Sequence, residues 1–214
     1  MERIPHGADL LEGILNRRLL VPAIWVLVAL PAGGGGDLRA QAAPLTVELR
    51  GGAAVPFGSF AHGTEIGEGT EADASFGVDF AFSGAGRRTA TLGFSQHRFR
   101  CRKAGCPPGS SFVATNLEAG LRLNLVTRGE IVPWVRGGVL TTRVELDPLP
   151  GSPGGTSRAG FGGEVGLGVY FGAFRTVAFN PGVRITAVNT RLPGGALLRM
   201  RYWVVDLGIS VAFG

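Results

Sequence analysis

Three histidines, one lysine and two cysteines are the scarce reactive side chains of this 214-residue chain. His6 lies near the amino terminus and His62 in a glycine-rich stretch, and neither has an obvious partner. His97 has company. Ser95 precedes it by two residues, so an extended chain projects both onto one face, and Glu118 on the following segment could approach them. A serine, a histidine and a carboxylate on one wall is the constellation of nucleophilic acyl transfer. The plainer reading is the polar end of a strand, and it carries more weight. Cys101 and Cys106 lie in Cys-Arg-Lys-Ala-Gly-Cys. In an exported protein this spacing reads as a disulfide clipping a loop. Such a bridge stabilises by about 2 kcal/mol on the chain-entropy account. Two free thiols, or half of a metal site, are the other readings. The spacing is not CxxC, and no second cysteine pair exists to complete a zinc site. Gly160 to Gly168 is glycine-rich but sits inside a strand pattern with no helix after it, so it is not a phosphate loop. Its glycines are expected to make room for arginines opposite. No metal or cofactor constellation emerges.

Two further groups carry charge. Arg98, Arg100, Arg102 and Lys103 form a basic cluster around the first cysteine, expected in a loop. Glu65, Glu68, Glu71 and Asp73 make an earlier loop acidic. Glu48, Arg50, Asp79, Glu118, Arg122, Arg136, Glu164, Arg184 and Asp206 are spread through the chain, five acids against four arginines. Their meaning depends on the elements that hold them.

From Leu45 onward the chain alternates large apolar residues with small or polar ones, in segments of about ten residues separated by turn signals. Period-two alternation is the mark of strands with two chemically different faces. Eight segments are expected: Leu45–Val55, Ala74–Ser83, Thr89–Arg98, Phe112–Leu125, Ile131–Val144, Ala159–Phe171, Thr176–Asn189 and Arg199–Phe213. The connections 84–88, 126–130 and 172–175 are tight, and 56–73, 99–111, 145–158 and 190–198 are long. Short turns on one side and long loops on the other describe an up-and-down barrel.

Residues 1–42 read as an address rather than as structure. Arg17-Arg18 precede the apolar run Leu19 to Leu30, and Ala40-Gln41-Ala42 supplies a small-x-small cleavage site. The run is shorter than the ~20 residues that a spanning helix needs. A helical anchor that stays attached is the alternative. The domain organisation expected is therefore a cleavable signal peptide, 1–42, followed by one barrel domain, 43–214. Segment 1–42 holds four acids and four basic residues, so the mature part keeps the net charge of +5.

Alternation alone does not say which face points out. A lipocalin-like soluble barrel would turn the apolar face inward. The polar face decides, because it carries the nine dispersed charges among Gly, Ala, Ser, Thr and Asn. An eight-stranded barrel has an interior just wide enough to be filled by side chains. Opposite charges can fill it as pairs, whereas isolated buried charges would be prohibitive. Arginine suits the task, since its planar fork bonds carboxylates in pairs, and 20 of the 21 basic residues are arginine, Lys103 being the exception. The apolar face then meets lipid. Phe82, Phe171, Phe174, Trp203 and Phe213 fall near strand ends and would suit interfacial girdles, while Trp134 and Tyr202 fall on the inward parity.

These features together resemble the small outer-membrane β-barrel superfamily of OmpA-like, OmpX-like and opacity-type proteins. The stretches that carry the resemblance are Glu48 to Phe60, Ile131-Val-Pro-Trp-Val-Arg-Gly-Gly-Val139, and Asp206-Leu-Gly-Ile-Ser-Val-Ala-Phe213. The resemblance implies an all-β, eight-stranded, antiparallel transmembrane barrel in the outer membrane of a Gram-negative cell. It also implies a terminal strand read by the barrel-assembly machinery. The expected role is structural or surface-interacting and non-enzymatic, in a monomer with a lumen filled by the charge network. Outer-membrane lipid and lipopolysaccharide are the expected partners; cofactors and nucleic acid are not expected. A narrow passive pore, a lipid-modifying enzyme and a soluble periplasmic barrel are the alternatives.

Overall fold

A computed structural model describes residues 45–62, 69–83, 87–102, 110–126, 129–146, 155–172, 176–192 and 195–213. In chain order these form β1 (Leu45–Pro56), α1 (Ser59–His62), β2 (Gly69–Ser83), β3 (Arg88–Arg102), β4 (Ser111–Asn124), β5 (Ile131–Leu146), β6 (Gly155–Thr156), β7 (Gly160–Phe171), β8 (Val177–Arg191) and β9 (Leu197–Phe213). All pairings are antiparallel. The sheet runs β4-β3-β2-β1-β9-β8-β7-β5, and β4 also pairs β5, so eight strands close on themselves. The two-residue β6 is an addition to the end of β5. Closure matters physically: every strand finds two neighbours, and no row of unpaired backbone groups faces lipid.

The alternation read from the sequence becomes a two-faced wall. All eight closing strands present large apolar side chains outward, among them Leu49, Phe76, Leu92, Leu117, Val139, Leu167, Phe179 and Leu207. Leu117 is 60 % exposed and Val139 67 %. In water a continuous belt of this kind would drive aggregation; against hydrocarbon it is the favourable surface, each such side chain gaining roughly 1.5–3 kcal/mol by leaving water. The inward positions hold the charged and small residues. A lipocalin-like barrel has the reverse arrangement and is excluded. Phe171, Trp203 and Phe213 face out, whereas Trp134 and Tyr202 are buried inside.

Most of the strands are longer than the sequence suggests, with most of the extra length on the long-connection side; β4 keeps its expected length and β7 is one residue shorter. β2 starts at Gly69 rather than Ala74, with its pairing to β3 interrupted by an irregularity between Ala72 and Ser75. β3 runs to Arg102 rather than stopping at Arg98. Arg100 and Arg102, expected in a loop, therefore belong to β3 together with Arg98, so the basic cluster begins in a strand, and Glu71 and Asp73 belong to β2. The cause is that alternation continues past Arg98: Phe99 turns fully inward, and Glu71 pairs across with Arg100. The expected signal peptide 1–42, Lys103, Cys106 (and with it the Cys101–Cys106 bridge), Phe174 and Gly214 lie outside the described residues.

Candidate functional site: a filled lumen

The nine dispersed charges all point into the barrel, and each is at most 8 % exposed. Seven of them form one cluster. Arg50 Nη2 donates to Asp79 Oδ1 at 2.8 Å and to Glu118 Oε2 at 3.2 Å, and its Nη1 reaches Asp206 at 3.5 Å. Arg136 donates to the other oxygen of Asp79 at 2.7 Å and to Glu118 at 3.2 Å, and lies 2.5 Å from Glu164. Arg184 closes the ring, reaching Asp206 at 2.6 Å, Glu164 at 3.2 Å and Glu118 at 3.5 Å. Glu118 Oε2 thus serves three guanidinium groups at once.

The other two charges sit nearer the short turns. Arg122 donates to Glu48 at 3.0 Å, with its guanidinium 5.1 Å from the ring centres of both Trp134 and Tyr170. Glu48 also accepts from Tyr170 at 3.0 Å and from Asn180 at 2.6 Å. Trp134 Nε1 donates to Asn180 at 2.7 Å, so neither the indole nor the amide is stranded. Burying these ions separately would cost several kcal/mol apiece. Shared as charge-assisted hydrogen bonds they are tolerated, and the removal of any one partner exposes the cost of the rest.

Inward glycines make the space. A Cβ on Gly93 would collide with Asp79, and one on Gly208 would stand 3.1 Å from Glu48. In the glycine-rich strand β7, a Cβ on Gly166 would stand 2.6 Å from Arg184, whereas Gly168, Gly162 and Gly160 face Trp134, Val188 and Thr190. The expectation that these glycines clear room for arginines describes Gly166 only.

Above the ions lies a hydrogen-bonded chain. Ser75 Oγ is 2.9 Å from His97 Nδ1, His97 Nε2 is 3.0 Å from Ser95 Oγ, and Ser95 donates to Glu118 Oε1. Asn116 Nδ2 bridges Ser95 and Tyr202, at 3.2 Å to each. The serine has one proton, and it goes to the carboxylate. His97 Nε2 must then be the donor to Ser95, and Nδ1 the acceptor from Ser75. Nucleophilic activation needs the opposite polarity, with histidine taking the serine proton and the carboxylate behind the histidine. Ser95, His97 and Glu118 do come together, in an order that satisfies buried polar groups. Ser95 is 0 % exposed and His97 1 %.

The long-connection half of the lumen holds an apolar cluster among buried threonines and serines, which the reading of a polar inner face missed. Phe99, Phe112, Leu140, Val144, Leu198 and Met200 pack there, under Phe60 from α1. Thr70 fixes α1 by donating to the Phe60 carbonyl at 2.8 Å. Rings connect this plug to the polar layer: Phe60 to Phe99 at 5.0 Å, then Phe99 to Tyr202 and Tyr202 to His97 at 5.1 Å each. The signal available was parity: Phe112, Leu198 and Met200 fall in step with the inward charges on their strands, and Phe99 with the inward Ser95 and His97.

Of the basic cluster, Arg98 and Arg100 are exposed and share one acid. Arg98 Nε is 3.6 Å and Arg100 Nε 3.1 Å from Asp73 Oδ2. Arg98 also donates to Ser111 at 3.2 Å.

No family model matches the chain, and no curated protein matches it. Solved structures do. Neisserial surface protein A superposes with a TM-score of 0.62 at 16% identity, covering 79% of this chain and 97% of that one. The outer membrane protein OprG from Pseudomonas aeruginosa gives 0.57 at 17% identity, covering 78% and 95%. The N-terminal β-barrel domain of Pseudomonas aeruginosa OprF gives 0.50 at 13% identity, covering 80% and 98%. The chain has the fold of the small eight-stranded outer-membrane β-barrels.

Proposed function

We propose that this chain is an integral outer-membrane β-barrel with a structural or surface-interaction role, and that its lumen does not conduct. The observation that carries the reading is the occupied interior. Arg122 between Trp134 and Tyr170 fills the short-turn end, the seven-charge cluster fills the middle, and the apolar plug under Phe60 fills the long-loop end. A molecule of this kind offers the cell its outer surface and loops rather than a passage. Reconstitution in planar bilayers tests it: no steady conductance is expected, and discrete channels of defined size would overturn the reading in favour of a narrow pore.

The proposal includes removal of residues 1–42, assembly from the terminal strand Asp206–Phe213, and a monomer contacting outer-membrane lipid and lipopolysaccharide. The mass of the mature chain and heat-modifiable gel mobility of the membrane fraction test the first and second of these. The role is read as non-enzymatic, since Ser95 gives its proton to Glu118 and His97 is enclosed. Lipid A with and without the gene should have the same mass spectrum. A mass change that disappears with His97→Ala would reverse this point.

A further inference from the structure

The seven-charge cluster does not balance. It sets three arginines, Arg50, Arg136 and Arg184, against four acids, Asp79, Glu118, Glu164 and Asp206, and all seven are buried. Arg122 and Glu48 form a pair of their own nearer the short turns, so they leave the excess where it is. The cluster is also covered at both ends. Arg122, Trp134 and Tyr170 lie on one side, and His97, Tyr202 and the plug under Phe60 on the other. An unpaired ion in such an enclosure is prohibitive, and a buried acid in that position gives up its charge.

The four acids are not equally served. Asp79 accepts from Arg50 on one oxygen and from Arg136 on the other, at 2.8 and 2.7 Å. Glu118 Oε2 accepts from all three guanidinium groups, and its Oε1 from Ser95. Asp206 Oδ2 takes Arg184 at 2.6 Å and Arg50 at 3.5 Å. Glu164 accepts one aligned hydrogen bond, from Arg184 to Oε2 at 3.2 Å. Its Oε1 lies 2.5 Å from Arg136 Nη2, yet no N–H or O–H of the described residues is aimed at it. The Glu164 side chain is 1 % exposed, so bulk water does not reach it.

Glu164 projects from β7 into a ring of ionisable groups. Arg136 on β5, Arg184 on β8, Glu118 on β4 and Arg50 on β1 act on it, with Asp206 and Tyr202 on β9, Asp79 on β2 and His97 on β3 around them. His97 does not supply the missing cation. Its ring is bonded as the neutral form, accepting from Ser75 on Nδ1 and donating from Nε2 to Ser95.

We infer that Glu164 is a proton-binding site of the closed lumen, its carboxyl kept as the neutral acid near neutral pH by a proton taken from solvent as the strands close. A proton needs neither a ligand set nor space, in an interior already filled by side chains. Placed on Oε1 it displaces no existing hydrogen bond. Three guanidinium groups then face three carboxylates. The inference rests on the closed lumen proposed above and adds which of its groups is neutral.

Infrared spectroscopy of the barrel in lipid vesicles near neutral pH tests it. A protonated carboxyl has a carbonyl stretch above the amide I band. One such band is expected; it should move on carbon-13 labelling of the glutamate carboxyls and be lost in Glu164→Gln. Glutamine keeps the shape and the neutrality of the protonated acid, so the unfolding constant in urea should change by less than about tenfold, as for an isosteric replacement. Glu118→Gln should raise it at least about a hundredfold, as when buried ions lose a partner. Unfolding exposes Glu164 to water, where it ionises. The parent therefore releases a proton, and its unfolding constant should rise about tenfold per pH unit above the histidine range. Glu164→Gln should lack that rise. A band that survives Glu164→Gln, or a loss of stability there equal to that of Glu118→Gln, overturns the assignment. An imidazolium signal from His97 in nitrogen NMR would give the charge to that ring and overturn it as well. Steady channels in planar bilayers would fail the closed lumen; silent bilayers with no carboxyl band would fail the proton alone.

Discussion

The two halves of the lumen are built on one continuous wall and filled by opposite chemistries. Toward the short turns the inward positions carry ions that pair with one another through their guanidinium Nη atoms; toward the long loops they carry Phe99, Phe112, Leu140 and Met200 packed under Phe60. The charged half is interdependent, because Glu118 serves three arginines and Asp79 two. The apolar half is cumulative, each side chain adding its own burial. An interior with both kinds of filling holds its register by two means. A one-residue slip would drive arginines into lipid in one half and reverse the packing in the other.

The largest expected effect breaks the interdependent half. Arg50→Met leaves Asp79, Glu118 and Asp206 short of a cation, in a lumen where acids already outnumber arginines. Loss of one partner from a buried ionic group costs about 3–5 kcal/mol, so urea unfolding of the barrel in lipid vesicles should shift to much lower denaturant. An unchanged midpoint would mean the charges are hydrated singly and the network is not a unit. Phe99→Ala probes the cumulative half. It should cost about 3 kcal/mol, at the lower end for a buried phenylalanine, because Phe60 and Tyr202 flank the void and can partly close it. Combining the two substitutions sharpens the contrast: their costs should add, since the halves share no ion pair.

The boundary between the halves should respond less. Ser95→Ala removes the acceptor of His97 Nε2 and Asn116 Nδ2, as well as the hydroxyl donated to Glu118. A cost of about 1–2 kcal/mol is expected, as for buried donors left without an acceptor. A cost as large as that of Arg50→Met would merge the boundary layer with the ionic cluster.

The same contrast explains what the sequence made legible. In the short-turn halves of the strands one face is charged or small and the other apolar, as in Leu45 to Arg50 or Trp203 to Phe213, so parity announces itself. In the long-loop halves residue type no longer tells the two faces apart in this way. Val139-Leu140 and Leu197-Leu198 place one residue in lipid and its neighbour in the plug, and nothing in residue type separates them. Arg98-Phe-Arg100 alternates cleanly, yet its charges point outward, the reverse of the rule that holds below. A membrane barrel projects beyond the hydrocarbon at that end, where exposed arginine meets headgroups and water rather than chains, and the polar-inside rule stops there. The candidate site was legible as a set of nine charges because each lay on the inward parity. Which acid met which arginine was not, because Arg50 and Asp206 are 156 positions apart and meet only through strand order and tilt.

The smallest effect belongs to the outward arginines of β3. Arg98 and Arg100 are ion-paired with Asp73 much as Arg50 is with Asp79, but in reach of solvent. Exposed pairs contribute about 0–1 kcal/mol, the Coulombic gain being screened by water and salt and offset by lost side-chain freedom. Arg98→Gln with Arg100→Gln should therefore leave the unfolding midpoint within about 1 kcal/mol of the parent, and whatever shift remains should vanish at high salt. The Arg50→Met deficit should persist at high salt, because counterions do not reach a lumen filled at both ends. If the Arg50 deficit faded with salt as well, ions would be entering the barrel, and the closed interior would have to be read as a passage.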